Sequence, residues 1–224
     1  MAAMHRRLAL LFAVLLACAG CGQHFVDVRG HLASLDKAQP TATLPELAYE
    51  KLAVPTDRTF WVDEKSPVVD FGQDGKSYVK AFELPAPGSY RIQIRSYSLR
   101  DGLFDAAMFF PVVSFLDADK KPIDTAGPWT QHKGGIFTDE PNEGVFLEDV
   151  EWIKPEKPYR YIVIRTNPAL MTRGGWAALR NPVQLAAASY HSVPIFIPSG
   201  PGGPIRLEGS PVGYLWIKLE PSKS

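Results

Sequence analysis

Between Tyr90 and Ser96 apolar and polar side chains alternate: Tyr90, Ile92, Ile94 and Ser96 fall on one face, Arg91, Gln93 and Arg95 on the other. A half-buried antiparallel strand needs that period of two, and an amphipathic helix does not show it. The grammar recurs along the chain. Phe60 and Val62 alternate with polar neighbours, Val68, Val69 and Phe71 precede a turn at Gly72–Gly75, and Ser77–Leu84 alternates again. Phe109–Leu116 is more uniformly apolar, which predicts a strand covered on both sides and ended by the turn Asp117–Pro122. Val145–Ile153 and Tyr159–Thr166 predict a further pair, broken by Lys154–Pro158. Val193–Ile197, Ile205–Glu208 and Val212–Leu219 complete the set. In the last, Tyr214 and Trp216 share one face, and Leu215, Ile217 and Leu219 the other.

The 20 prolines and 18 glycines sit at nearly every boundary, which suits many turns and excludes long helices. The expected fold is all-β: a single antiparallel β-sandwich, jelly-roll-like, with one or two short helices. Leu44, Leu47, Ala48 and Leu52 recur at helical spacing, with Thr43 as cap, Pro45 in the first turn and Pro55 as stop, predicting a helix over Leu44–Leu52. Leu185-Ala186-Ala187-Ala188 favours a second helix over Asn181–Ser189.

The N-terminus sets the compartment. Arg6 and Arg7 form a positive start, Leu8–Leu16 is unbroken and apolar, and small residues follow. That is a secretory signal; a membrane span needs roughly twenty apolar residues. Leu15-Leu16-Ala17-Cys18 resembles the lipobox of bacterial lipoproteins, so Cys18 is the expected lipidation site. Cys21 is the alternative acceptor, and an ordinary cleaved signal with both cysteines incidental is the rival reading. Residues 1–17 are then the cleaved signal peptide and 18–43 the lipidated anchor and tether, with a short helical piece near Leu32–Lys37. Residues 44–221 form the sandwich and 222–224 a tail. Neither Ala19 nor Gly22 is the aspartate that retains such proteins at the inner membrane, so the expected location is the periplasm, on an outer-membrane lipid anchor.

Cys18 and Cys21 are the only cysteines, so the mature fold has no disulfide framework and no thiolate metal site, and must stand on its hydrophobic core. The 24 basic and 24 acidic side chains balance, and no basic block exists, which argues against nucleic acid. Gly200-Pro201-Gly202-Gly203-Pro204 lacks the Lys-Ser/Thr of a phosphate loop. His24, His31, His132 and His191 are widely spaced on expected loops and show no zinc-helix spacing, and no Gly-x-Ser-x-Gly elbow appears. Asp139, Glu140, Glu143, Glu148, Asp149 and Glu151 cluster in and after one loop. Two of them at the right separation would hydrolyse a glycosidic bond, but such clusters are more often solvated surface or a weak calcium site. Asp117-Ala118-Asp119 is followed by two lysines instead of calcium ligands and reads as a turn. No enzyme chemistry, metal or cofactor is expected.

Aromatic rings are the remaining lead, because sugars offer apolar faces that stack on them. Trp129 with Gln131, Trp176 with Arg173, and Tyr97 are the candidate ligand-binding residues; Phe137, Trp152 and Tyr190 also fall in or beside expected loops. The same rings suit a structural role, plugging the ends of the sandwich, and no spacing rule ties them into one surface.

Six stretches carry a resemblance. Leu44-Pro45-Glu46-Leu47-Ala48-Tyr49-Glu50-Lys51-Leu52 leads into Ser66-Pro67-Val68-Val69-Asp70-Phe71. Then come Tyr78 with Phe82-Glu83-Leu84-Pro85, Tyr90 to Ser96, Phe110 to Asp117, and Tyr159 to Thr166. From Leu44 to Leu219 the chain resembles the maltose-operon periplasmic protein (MalM) family of Gram-negative bacteria. The resemblance implies an exported, non-enzymatic protein that assists carbohydrate transport. Its implied ligand is maltose or maltodextrin and its implied partners are transporter or porin components, with no site residue carried over. An envelope module that docks on such proteins and binds no sugar is the alternative.

Overall fold

A computed structural model describes residues 26–86, 90–100, 105–126, 130–133, 145–153, 159–171, 174–178, 187–190, 193–196 and 204–221. These residues are mostly strand. Two helices occur, α1 (Val28–Lys37) and the single-turn α2 (Pro168–Met171). The strands are β1 (Glu50–Lys51), β2 (Thr56–Val62), β3 (Val68–Asp70), β4 (Lys76–Tyr78), β5 (Lys80–Glu83) and β6 (Tyr90–Arg100). Next follow β7 (Asp105–Met108), β8 (Val112–Leu116), β9 (Pro122–Ala126), β10 (Thr130–Lys133), β11 (Val145–Ile153) and β12 (Tyr161–Arg165). The last are β13 (Gly174–Ala178), β14 (Ala187–Tyr190), β15 (Val193–Phe196), β16 (Pro204–Gly209) and β17 (Gly213–Pro221).

The strands form one five-stranded sheet, β1-β5-β12-β8-β9, and one eight-stranded sheet made of the path β10-β11-β6-β7-β16-β13 together with β17, which pairs with β6, and β2, which pairs with β17. Two hairpins, β3–β4 and β14–β15, stand apart. The fold is all-β, but its pairing is not purely antiparallel: β1 runs parallel to β5, and β16 parallel to β7.

Burial along β6 follows the alternation. Tyr90, Ile92, Ile94 and Ser96 are buried and Arg91, Gln93 and Arg95 half-buried. Ser96 is tolerated inside because its hydroxyl donates to the Phe109 carbonyl at 2.6 Å. Ile92 and Ile94 join Leu215, Ile217 and Leu219 of β17 and Val62 of β2 in one core cluster. The five-stranded sheet adds Phe82, Val113, Phe115, Ile162 and Ile164 to the same cluster. Its alternate residues Ala81, Leu116 and Val163 pack on a second cluster with Leu47, Val69 and Val79, so β12 is covered on both sides. That double burial explains its continuous apolar run.

Several expectations are corrected. Leu44–Leu52 is not a helix: a 3-10 turn at Leu44–Glu46 is followed by β1. Glu46 accepts from the Thr43 backbone N–H (2.8 Å) and hydroxyl (2.7 Å), which closes the turn, and Glu50 and Lys51 then pair with Phe82 and Glu83. Sheet pairing and burial of Leu47 outweigh a weak helical propensity. Within Asn181–Ser189, residues 187–189 belong to β14, where pairing with β15 overrides the helix preference of alanine; the rest lies outside the described residues. Val145–Ile153 and Tyr159–Thr166 do not pair with each other. β11 pairs with β6 and β10, whereas β12 lies between β5 and β8, where its two apolar faces are both covered. Ser77–Leu84 splits at Val79, whose N–H turns to the Pro67 carbonyl (3.0 Å), so β4 pairs with β3 and β5 with β12.

The helix before the strands is α1, capped by Asp27, whose carboxylate accepts from Gly30 N–H at 3.0 Å. It sets Leu35 into the main core, and Lys76 Nζ holds its C-terminal carbonyls at Asp36 (2.6 Å) and Ala38 (2.9 Å). The Asp117 turn behaves as expected: its Oδ1 accepts from the N–H groups of Asp119 and Lys121, both at 2.9 Å.

Candidate functional site

Side chains that β2, β17 and β6 turn away from the core share a face of the eight-stranded sheet. Register sets the rows. Trp61, Tyr214 and Tyr97 lie directly opposite one another across β2, β17 and β6; Thr59, Trp216 and Arg95 form the next row, and Asp57, Lys218 and Gln93 the third. The register continues into β11, where Phe146 stands opposite Tyr97 and Glu148 opposite Arg95.

The first row is a run of rings. Trp61 and Tyr214 have centroids 5.0 Å apart and planes inclined by 41°; Tyr214 and Tyr97 are 5.7 Å apart and inclined by 33°. Cross-strand neighbours sit close enough for such aromatic contacts, and strand twist inclines them. Exposure grades along the row: Trp61 is 37% exposed, Tyr214 half-buried and Tyr97 7% exposed. Trp61 and Ile123 are the large hydrophobic side chains exposed among the described residues.

The second row supports the first. The Trp216 indole, 8% exposed, donates from Nε1 to Asp57 Oδ1 at 2.6 Å. The Arg95 guanidinium lies 4.8 Å from the indole ring centroid. A hydrogen bond at the indole edge and a cation over its face fix that ring. The face thus presents accessible aromatic carbon at Trp61 and Tyr214, with hydroxyl, carboxylate, amide and ammonium groups at its margin. That surface can bind a ligand with apolar faces and hydroxyl edges.

Perturbed acids and phenols lie away from this face. Burial pushes the phenols of Tyr49 and Tyr90 up to about 12, with the neighbouring Tyr161 adding to the effect on Tyr49. The hydrogen bond from Arg58, with a further one from Lys80, holds the Glu50 carboxyl below its ordinary range. Among the described residues no three His, Cys, Asp or Glu side chains are placed to hold a metal.

Of the residues singled out from sequence, Tyr97 lies in the aromatic row as its buried end. Gln131 is on β10 opposite Leu147, and Trp176 on β13 opposite Arg206; these strands are at the two ends of the strand order. Trp129, Arg173, Cys18 and Cys21 lie outside the described residues, as do Asp139, Glu140, Glu143, His24 and His191. Glu148, Asp149 and Glu151 are on β11, opposite Arg95, Ile94 and Ile92. His31 and His132 lie on α1 and β10 rather than in loops, because each fills a place in a regular element. His31 Nδ1 sits 2.9 Å from Glu64 Oε1. Sequence reasoning missed Trp61, Trp216, Tyr214, Arg95 and Asp57 as a group. The available signal was the placement of Tyr214 and Trp216 on the side of the last strand opposite its aliphatic residues.

In comparisons with known proteins, no family model, no curated protein and no solved structure matches this chain.

Proposed function

We propose that this chain is a periplasm-facing lipoprotein of MalM type that assists carbohydrate transport by binding maltose or maltodextrin without chemical turnover. The exposed Trp61 ring beside Tyr214, on the polar face of the large sheet, carries the reading. Aromatic faces meet the apolar faces of sugar rings, while Asp57, Gln93 and Lys218 on the same face offer partners for hydroxyls. Further support comes from the signal with its lipobox at Cys18 (or Cys21), and from the resemblance described above. In this reading the two large sheets form a β-sandwich, since side chains of both enter one core cluster. The acyl chains tether the protein to the outer membrane, and the polypeptide stays in the aqueous periplasm.

Calorimetric titration of the mature lipidated protein with maltotriose, in a detergent lacking sugar headgroups, tests the reading. Saturable heat is expected. No heat at millimolar sugar, together with one dominant cross-linked protein partner in cells, would favour the envelope docking module instead.

A further inference from the structure

Much of the stretch from 18 to 43, which the sequence suggests is a tether, is built into the fold. Val26, Leu32 and Ala38 pack on the main core cluster, and Val28 and Leu35 are each 3% exposed. Polar contacts fix α1 along its length. His31 Nδ1 lies 2.9 Å from Glu64 Oε1 on the β2–β3 turn, and Lys76 Nζ donates to the Asp36 and Ala38 carbonyls. Beyond the helix, Thr41 N–H donates to the Val68 carbonyl and the Thr41 hydroxyl accepts from Val68 N–H, both at 2.9 Å. The folded body therefore starts at Val26, beside the exposed Asp27.

That start limits the reach of an acyl anchor. Val26 stands five residues on from Cys21 and eight from Cys18. A chain gains at most about 3.6 Å per residue, so the arm spans no more than about 18 Å or 29 Å, whatever its conformation. A body of some two hundred residues has a radius of gyration of about 16 Å and a diameter of roughly 40 Å. The arm is shorter than the body is wide, so the body cannot turn over on it. We infer that α1 is a strut that docks the body on the lipid surface, with the start of α1 and the Asp63–Ser66 turn on the membrane side. Trp61 precedes Glu64 by three residues, within about 11 Å along the chain, so the exposed end of the aromatic row belongs to the same side. This rests on the lipoprotein reading rather than on sugar binding, and adds which side of the body meets the bilayer.

The test uses the mature protein purified from membranes, on phosphatidylethanolamine–phosphatidylglycerol vesicles with acceptor-labelled headgroups. A dye-bearing amino acid replaces the exposed Lys65. Strong energy transfer is expected. It should fall at least about twofold when twenty Gly/Ser residues are inserted between Gly22 and Gln23, which adds about 25 Å of mean reach. Equal transfer from the two proteins would overturn the strut. Rapid amide exchange across His31–Lys37 on the vesicles would overturn it too, because an undocked helix lengthens the arm. Protein that fails to float with the vesicles would overturn the lipoprotein reading itself.

Discussion

Phe82→Ala is expected to destabilise the fold by about 3–5 kcal/mol, the range for losing a large aromatic from a packed core. Phe82 is fully buried, on β5 of the five-stranded sheet, opposite Ile162 of β12 and Glu50 of β1. Phe60 of β2 meets it edge-on at 5.2 Å, so one ring ties a strand of each large sheet. Two cations lie over its face: the Arg58 guanidinium at 5.2 Å and Lys80 Nζ at 5.9 Å from the centroid. Both also bond Glu50, at 2.5 and 3.2 Å. Those exposed ion pairs contribute little by themselves, so the cost comes mainly from the cavity and lost aromatic contacts. Urea unfolding should show a lower midpoint with an unchanged slope. A loss below about 1 kcal/mol would mean that Phe82 does not link the two sheets.

Tyr214→Ala is expected to weaken maltotriose binding by at least about tenfold, or roughly 1.4 kcal/mol. Tyr214 stands between Trp61 and Tyr97 and contacts both rings, so its loss removes half of the accessible pair and frees the other half to turn. The ring is only half-buried, and the stability cost should stay below about 3 kcal/mol. Ile123→Ala, on the exposed strand β9 of the five-stranded sheet, serves as the control and should retain the affinity. Equal calorimetric affinities for Tyr214→Ala and the unmodified protein would remove this face as the sugar site.

How much of this was legible in the sequence depended on whether the determining contact is local. β6 and β17 were readable because each buries one face, so their side chains had to alternate. β9 was not: all its residues but the last are exposed, and a strand without a buried face leaves no hydrophobic period. The segment after Thr43 was misread because the choice between helix and strand is made by β5, more than 30 positions downstream. Partner choice was hidden for the same reason. β11 and β12 are near neighbours in sequence yet belong to different sheets. For the site, Tyr97 could be selected as a candidate ring, but its place beside Tyr214 and Trp61 depends on a register between strands separated by most of the chain. A composition or motif cannot show that register.

The most direct test is to follow the aromatic ring resonances of the mature protein by NMR during titration with maltotriose. Saturable shifts at Trp61 and Tyr214, with smaller changes at Trp216 and none at the core methyls of Leu215 and Ile217, are the predicted result. Saturable shifts that spare Trp61 and Tyr214, or a spectrum unchanged at saturating sugar, would contradict the account.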